Sequence, residues 1–232
     1  LAAAHGISRR RQEAYALESH ARAARAADAG LFTDEIVPLP GHDETGMLAE
    51  VTADQSIRRD TSAEQMAALE PAFLPGVGTV TAATSAPVSD GAAAVLLMSL
   101  AEARRQGLTP LARVAGTAVA GVPPALMGTG PVAATRKLLD RTGGDLASIE
   151  LIELNEAFAA QAIHCIEALG LDPARVNVRG GSLAIGHPLG ASGARIVTTL
   201  LHAMRSGSQR TGLATMCIGL GQGIAVLFEK VD

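Results

Sequence analysis

Tryptophan is absent, and four phenylalanines and one tyrosine are the only aromatic residues in 232 positions. With so few stacking platforms and a formal net charge of −4, the sequence is unsuited to a nucleic-acid surface, which needs basic patches interleaved with aromatics. Cysteine is scarce as well. Cys165 and Cys217 are the whole supply, their spacing matches no metal motif, and nothing requires them to pair. No metal is implied, and two unpaired thiols suit a reducing, cytoplasmic or matrix-like compartment. No apolar run approaches the ~20 residues that span a bilayer; the longest, AAAVLLMSLA, covers residues 92–101. The opening LAAAHGISRRRQEA places an apolar patch before its arginines, the reverse of a secretory signal. Leu1 stands in what reads as the middle of a helix, so a cut or processed start is expected.

What is present is apolar mass: 48% of residues are hydrophobic and only 18% charged, enough for a large core in one or two domains. Residues 8–29 read as a small surface helix with an Ala14, Leu17, Ala21, Ala24 stripe, stopped by Gly30. Its Arg9, Arg10 and Arg11 read as a solvated face, with phosphate contact the sharper alternative. FTDEIVPLP reads as a short strand, residues 41–60 as a loop, and residues 62–73 as a short helix with Met66 and Leu69 inward. From Gly78 the chain reads as a strand, a small-residue turn near Pro87 and an apolar strand through Leu100, followed by a short helix to Gly107. LARVAGTAVAGV is a strand, and Pro131 suits the first turn of the helix after GTG; that glycine-rich approach could hold an anion or be a plain turn. ASIELIELN leads into a helix over 156–169, ARVNV reads as a strand, and GLATMCIGLGQGIAVLFE as two strands around a glycine turn. Such alternation indicates an α/β layer with a mixed sheet.

The densest signal is GGSLAIGHPLGASGAR, residues 180–195. His187 lies among Gly180, Gly181, Gly186, Gly190 and Gly193, with Pro188 fixing one φ beside it, ahead of a helix carrying Ile196, Val197, Leu200, Leu201 and Met204 at helical spacing. This predicts an imidazole aimed from a strand-to-helix loop; the plainer alternative is a histidine that satisfies a loop hydrogen bond. Cys217 ends an apolar strand before IGLGQG. A dinucleotide loop would open a helix there, whereas this one opens a strand. The turn offers a thiol and backbone N–H groups suited to an oxyanion, or simply a buried, inert cysteine. Cys165 shares a helical stripe with Phe158, Ala162, Ile166 and Leu169, so packing explains it. Asn155 ends a strand where ligands collect in α/β sheets, or caps the following helix.

NEAFAAQ at 155, GGSLAIGHPLGASGAR at 180 and CIGLGQG at 217 resemble, in order and spacing, the thiolase family, and TVTA, SDGAAAVLLMS and MGTGPVAATRK resemble further thiolase segments. The resemblance implies two similar βαβ-type halves with a loop domain inserted in the first. Residues 1–78 would be the rear of that loop domain, 79–100 the final strand region of the N-terminal half, and 101–232 the C-terminal half. It implies an acyltransferase of acetyl-CoA and fatty acid metabolism that cleaves or forms 3-ketoacyl-CoA through an acyl-cysteine lying upstream of this chain. His187 would activate that nucleophile and line one oxyanion hole, with Asn155 holding its water. Cys217 would move the α-proton, its thiol pKa lowered by neighbouring dipoles and a histidine, and the Gly219 N–H would serve a second oxyanion hole. For coenzyme A, the resemblance puts Arg58 on the adenine and Phe158 beside the pantetheine. Ser85 and Ala86 lie in ATSAP, where many thiolases have a GNASG-like turn. It implies CoA and acyl-CoA as substrates with no other cofactor, a homodimer or homotetramer, and a chain inactive and aggregation-prone alone, with residues 91–100 as an unpaired edge. A silent CoA-binding or interaction module is the alternative; a ketoacyl synthase is disfavoured because Cys217 stands where those enzymes use histidine or asparagine.

Overall fold

The computed structural model describes residues 1–43 and 45–231. Residues 2–6 form turns, not a helix interior, and helix α1 (Arg9–Asp28) starts where the Ser8 hydroxyl accepts the Arg11 N–H. Gly30 follows its end at φ +67°. The inward face is Gln12, Ala16, Ser19, His20, Ala23 and Ala26, not the expected stripe, and Ala14 is exposed. Polar residues lie inward because they find buried partners, which hydrophobic periodicity cannot show. Two of the three arginines are also bonded rather than merely solvated, and Arg10 is exposed. Arg9 pairs with Glu13 and donates to the carbonyls of Met66 and Ala67 at 3.2 and 3.0 Å, and Arg11 pairs with Glu167.

Residues 31–35 are turns, so the expected strand begins later, as a hairpin of β1 (Leu39–His42) and β2 (Leu48–Val51). Helix α2 (Ala63–Ala67) carries a reciprocal Ser62–Gln65 capping box and buries Met66. Between 79 and 100 the expected strands do not form. One 3-10 turn (Ala82–Thr84) leads to a single antiparallel bridge, Ser85 to Phe158, and residues 86–99 make no ladder. Apolar composition alone does not make a strand; a neighbour must accept its N–H and C=O groups.

Helix α3 (Leu100–Arg105) leads to β3 (Arg113–Gly121) and α4 (Gly130–Thr142), with Pro131 in its first turn. The glycine-rich approach to α4 is a packing contact, Gly130 lying against the Gly223 backbone with no room for a side chain. Then come β4 (Leu151–Leu154), α5 (Ala159–Leu169), the single turn α6 (Ser182–Ile185), α7 (Ser192–Ser206), β5 (Thr211–Ile218) and β6 (Gln222–Glu229). The four-stranded sheet runs β3-β6-β5-β4, antiparallel except for the β4–β5 pair. Alternate residues of β4 and β5 face opposite layers. Ile152, Leu154 and Leu213 join Leu138, Ala162 and Cys165 on the α4 and α5 side, whereas Leu151 and Ala214 meet Ile196, Leu200 and Met204 of α7. This is the expected α/β architecture with a mixed central sheet.

ARVNV is not a strand. Val176 bridges Ile152 at one point, and Asn177 turns the chain away at φ +48°. The Asn177 side chain completes the ladder instead, accepting the Leu154 N–H and donating to the Leu154 carbonyl, each at 2.8 Å. The His187 loop therefore joins two helices, α6 and α7, rather than a strand to a helix.

Candidate active site

The scaffold of the site centres on Glu156, just beyond the β4 end and almost fully buried. Its carboxylate accepts hydroxyls from Tyr15 at 2.9 Å and Ser19 at 2.8 Å, the Asn177 amide at 2.8 Å and the Leu183 N–H at 3.2 Å. Four donors compensate the burial of its charge, and they pin α1 and α6 to the sheet edge. The double glycine of the motif serves this packing. A Cβ on Gly180 would lie 2.6 Å from Ala23 Cβ, and one on Gly181 would overlap the Glu156 carboxyl. Burial, then Glu156, pushes the Tyr15 hydroxyl pKa well up, so it remains a donor.

On this base His187 is half-buried and held at both ring nitrogens. Nε2 faces the Asn155 amide nitrogen at 3.2 Å, and Nδ1 faces the Ser192 hydroxyl at 2.6 Å, which itself reaches the Pro188 carbonyl at 2.9 Å. Asn155 is fully buried; its N–H extends the β4–β5 ladder to the Thr215 carbonyl at 3.0 Å, and its Oδ1 accepts the Ser182 hydroxyl at 2.6 Å. It does not cap α5, whose N-cap position is Phe158. Burial, and then the nearby Arg195 charge, lower the His187 pKa below its usual 6.5. The ring is therefore neutral at neutral pH, as a base must be.

Cys217 lies on the neighbouring parallel strand, two residues beyond Thr215 and so on the face that Thr215 shares with its register partner Leu154. Asn155 and Cys217 thus sit at the carboxyl ends of the two parallel strands. Cys217 is 5% exposed, and burial pushes its thiol up to about 11. That corrects the expected lowering: in this structure desolvation outweighs the dipoles, and no hydrogen bond joins His187 to Cys217 among the described residues. Gly219 is exposed in the β5–β6 turn, where a Cβ would meet nothing within 4 Å. Cys165 is fully buried in the α4–α5 core, its thiol donating to the Gly128 carbonyl at 3.3 Å and pushed up to about 12 by burial.

Of the four residues expected to meet coenzyme A, three converge. Ser85 bridges Phe158, and the Ala86 N–H bonds to the Ala157 carbonyl at 3.1 Å. Beside them lies an apolar cleft of about 200 Å³, lined in part by Phe73, Val80, Leu126, Met127 and Phe158. Arg58 is elsewhere, exposed on the loop after β2, its backbone N–H held by His20 Nδ1 at 3.2 Å. No described contact joins it to the other three, although the same loop reaches the His187 region through Ser56, which donates to the Ala184 carbonyl at 2.9 Å. Sequence reasoning missed Glu156, Ser182, Ser192 and Arg195. The last three lie inside the glycine-rich motif, where the glycines and the histidine drew attention from the hydroxyls.

Comparison with known proteins accords with this geometry. Sequence models of the thiolase N-terminal and C-terminal domains match residues 1–101 and 108–230. A 3-ketoacyl-CoA thiolase of Marinomonas sp. is 54% identical over 230 residues, covering 98% of this chain and 59% of the relative. One from Escherichia coli is 53% identical over 234 residues, covering 100% and 60%. The structure of the Bacillus anthracis acetyl-CoA acetyltransferase superposes with a TM-score of 0.95 at 40% identity, over 99% of this chain and 58% of that one. Human mitochondrial 3-ketoacyl-CoA thiolase gives 0.92 at 38% identity. The chain thus spans about three fifths of the length of the relatives it matches, and by sequence and fold together it belongs to the thiolase family.

Proposed function

We propose that this site supplies the acid/base and oxyanion groups for thiolytic cleavage or Claisen condensation of 3-ketoacyl-CoA. The observation that carries the reading is the direct Asn155–His187 contact at the carboxyl ends of the parallel strands, with Cys217 on the adjoining strand. The His187 Nε2 lone pair takes the proton of an acyl-accepting thiol that is neither Cys165 nor Cys217. The resulting Nε2–H is a donor that no longer matches the Asn155 amide, so the pair opens around an oxyanion, with Asn155 acting directly or through water. Cys217, kept protonated by burial, gives its proton to the enolate carbon as the C–C bond breaks; in condensation its thiolate takes the α-proton back. The Gly219 N–H serves the second oxyanion.

Coenzyme A and acyl-CoA are the substrates in this reading, with no further cofactor. Ser85, Ala86 and Phe158 line the pantetheine path, Arg58 meets the adenine end, and the protein works as a cytoplasmic homodimer or homotetramer. Calorimetric titration with CoA, alongside an acetoacetyl-CoA cleavage assay, tests it. Weaker CoA binding in Arg58→Ala and loss of cleavage in His187→Ala are expected. CoA binding with no turnover, in a protein that carries the acyl-accepting cysteine, would instead mark a silent binding module.

A further inference from the structure

The hydrogen bonds around His187 can be assigned proton by proton, because both ends of the row are one-directional. Arg195 Nη2 lies 2.7 Å from Ser182 Oγ, and a guanidinium only donates. Ser182 Oγ therefore accepts there and gives its own hydrogen to Asn155 Oδ1 at 2.6 Å. That places the Asn155 NH2 group, also donor-only, against His187 Nε2 at 3.2 Å, so Nε2 must carry the lone pair. The imidazole proton is then on Nδ1, donated to Ser192 Oγ at 2.6 Å, and the Ser192 hydrogen goes to the Pro188 carbonyl at 2.9 Å, which only accepts.

We propose that Ser182 and Arg195 are positioning residues that set the tautomer of His187 through the Asn155 amide, holding the proton on Nδ1 and the lone pair on Nε2. The inference rests on reading His187 as the base. Neutral imidazole in water favours the opposite tautomer, with its proton on Nε2, so the useful form has to be imposed. Without the Ser182 hydroxyl the Asn155 amide can turn over, present Oδ1 to the ring and favour Nε2–H; Nδ1 would then accept from Ser192. Such a ring cannot take a proton at Nε2. Arg195 cannot accept a hydrogen bond, so in the reversed arrangement the Ser182 hydrogen would lose its acceptor, which disfavours the reversal. The Nη2 bond to Ser182 is the one that orients Arg195, since its Nε and Nη1 are buried without a hydrogen-bond partner among the described residues and Glu153 lies 4.0 Å from Nη1.

The test uses magnetic resonance of isotope-labelled imidazole nitrogens in the protein at neutral pH, with His187→Gln identifying the signals. The expected wild-type spectrum shows Nδ1 protonated and Nε2 bare. Ser182→Ala should give a mixed or reversed tautomer. If that variant fails to fold, Arg195→Gln, whose amide can accept as well as donate, should do the same, while Arg195→Lys, still donor-only, keeps the wild-type pattern. A wild-type ring protonated on Nε2, or an unchanged tautomer in folded Ser182→Ala and Arg195→Gln, would overturn the proposal. Neither readout depends on turnover, so the two readings fail separately. An active His187→Ala would remove the base assignment but leave the tautomer result standing.

Discussion

Ser19, in the middle of α1, donates its hydroxyl to the buried carboxylate of Glu156 at 2.8 Å, across 137 positions of sequence. The same carboxylate receives the Leu183 N–H four residues before His187. The helix that read as a surface element is thus one wall of the scaffold on which the candidate site is built.

Glu156→Gln should therefore destabilise the protein. An amide NH2 would face at least one buried donor and leave it unsatisfied, at about 1–3 kcal/mol. Tyr15→Phe, which removes one donor and leaves three, should cost about 1 kcal/mol. Urea denaturation followed by circular dichroism checks both; equal midpoints for Glu156→Gln and wild type would show that the carboxylate is not a structural hub.

The two cysteines should separate cleanly. Cys217→Ala is expected to lower turnover by ~10²- to 10⁴-fold, the usual contribution of a positioned acid/base. Cys165→Ala should leave the rate intact and lose about 1 kcal/mol of stability through a small cavity. Since burial raises both thiols, alkylation should be slow at neutral pH and should reach Cys217, the less shifted and more exposed, before Cys165. Equal rate losses at both positions would break the assignment.

Buried acid groups give stability a definite pH dependence. Burial raises Glu153 from 4.5 to about 8 against the pull of Arg195, and Glu35 to about 7. Over that range the native state holds protons that the unfolded chain has lost, so stability falls as pH rises from about 4.5 through about 8. The lowered histidines, His20, His164, His187 and His202, act oppositely, but only below their usual 6.5. The fall between about 7 and 8 thus belongs to the carboxyls. Glu153→Gln should flatten it and raise stability above pH 8 by up to about 5 kcal/mol, the full rise from 4.5 to about 8. Unfolding midpoints across this range that coincide for variant and wild type would refute it.

Leu96 and Leu97 are 78% and 73% exposed on a segment without ladder partners, and paired apolar exposure of this kind drives association. Light scattering on residues 1–232 should report self-association that Leu96→Glu with Leu97→Glu reduces. A monodisperse wild-type monomer would contradict the expectation.

Helices α4 and α7 and the β5–β6 hairpin were legible in the sequence because periodicity, a proline in the first turn and a glycine turn all agree with the local structure. ARVNV was not, because Asn177 supplies with its side chain the bonds a strand would make with its backbone. Residues 91–100 misled in the same way: the composition suits a strand, but strand formation is settled by a neighbour. At the site, the resemblance put Asn155 and His187 at one oxyanion hole with a water held by Asn155, whereas here the two side chains meet directly; Ser182 and Arg195 act through hydrogen-bond direction, which only three dimensions reveal. The Cys217 shift went against expectation because burial is a tertiary property.

The most direct test of the catalytic reading is exchange of the acetyl-CoA methyl protons in deuterated water, followed by mass spectrometry. Wild-type protein should incorporate deuterium. Cys217→Ala should slow incorporation by at least ~10²-fold with CoA affinity unchanged, and Cys165→Ala should exchange as wild type does. Exchange that survives in Cys217→Ala, or that is lost in Cys165→Ala, would contradict the assignment of Cys217 as the group that moves the α-proton.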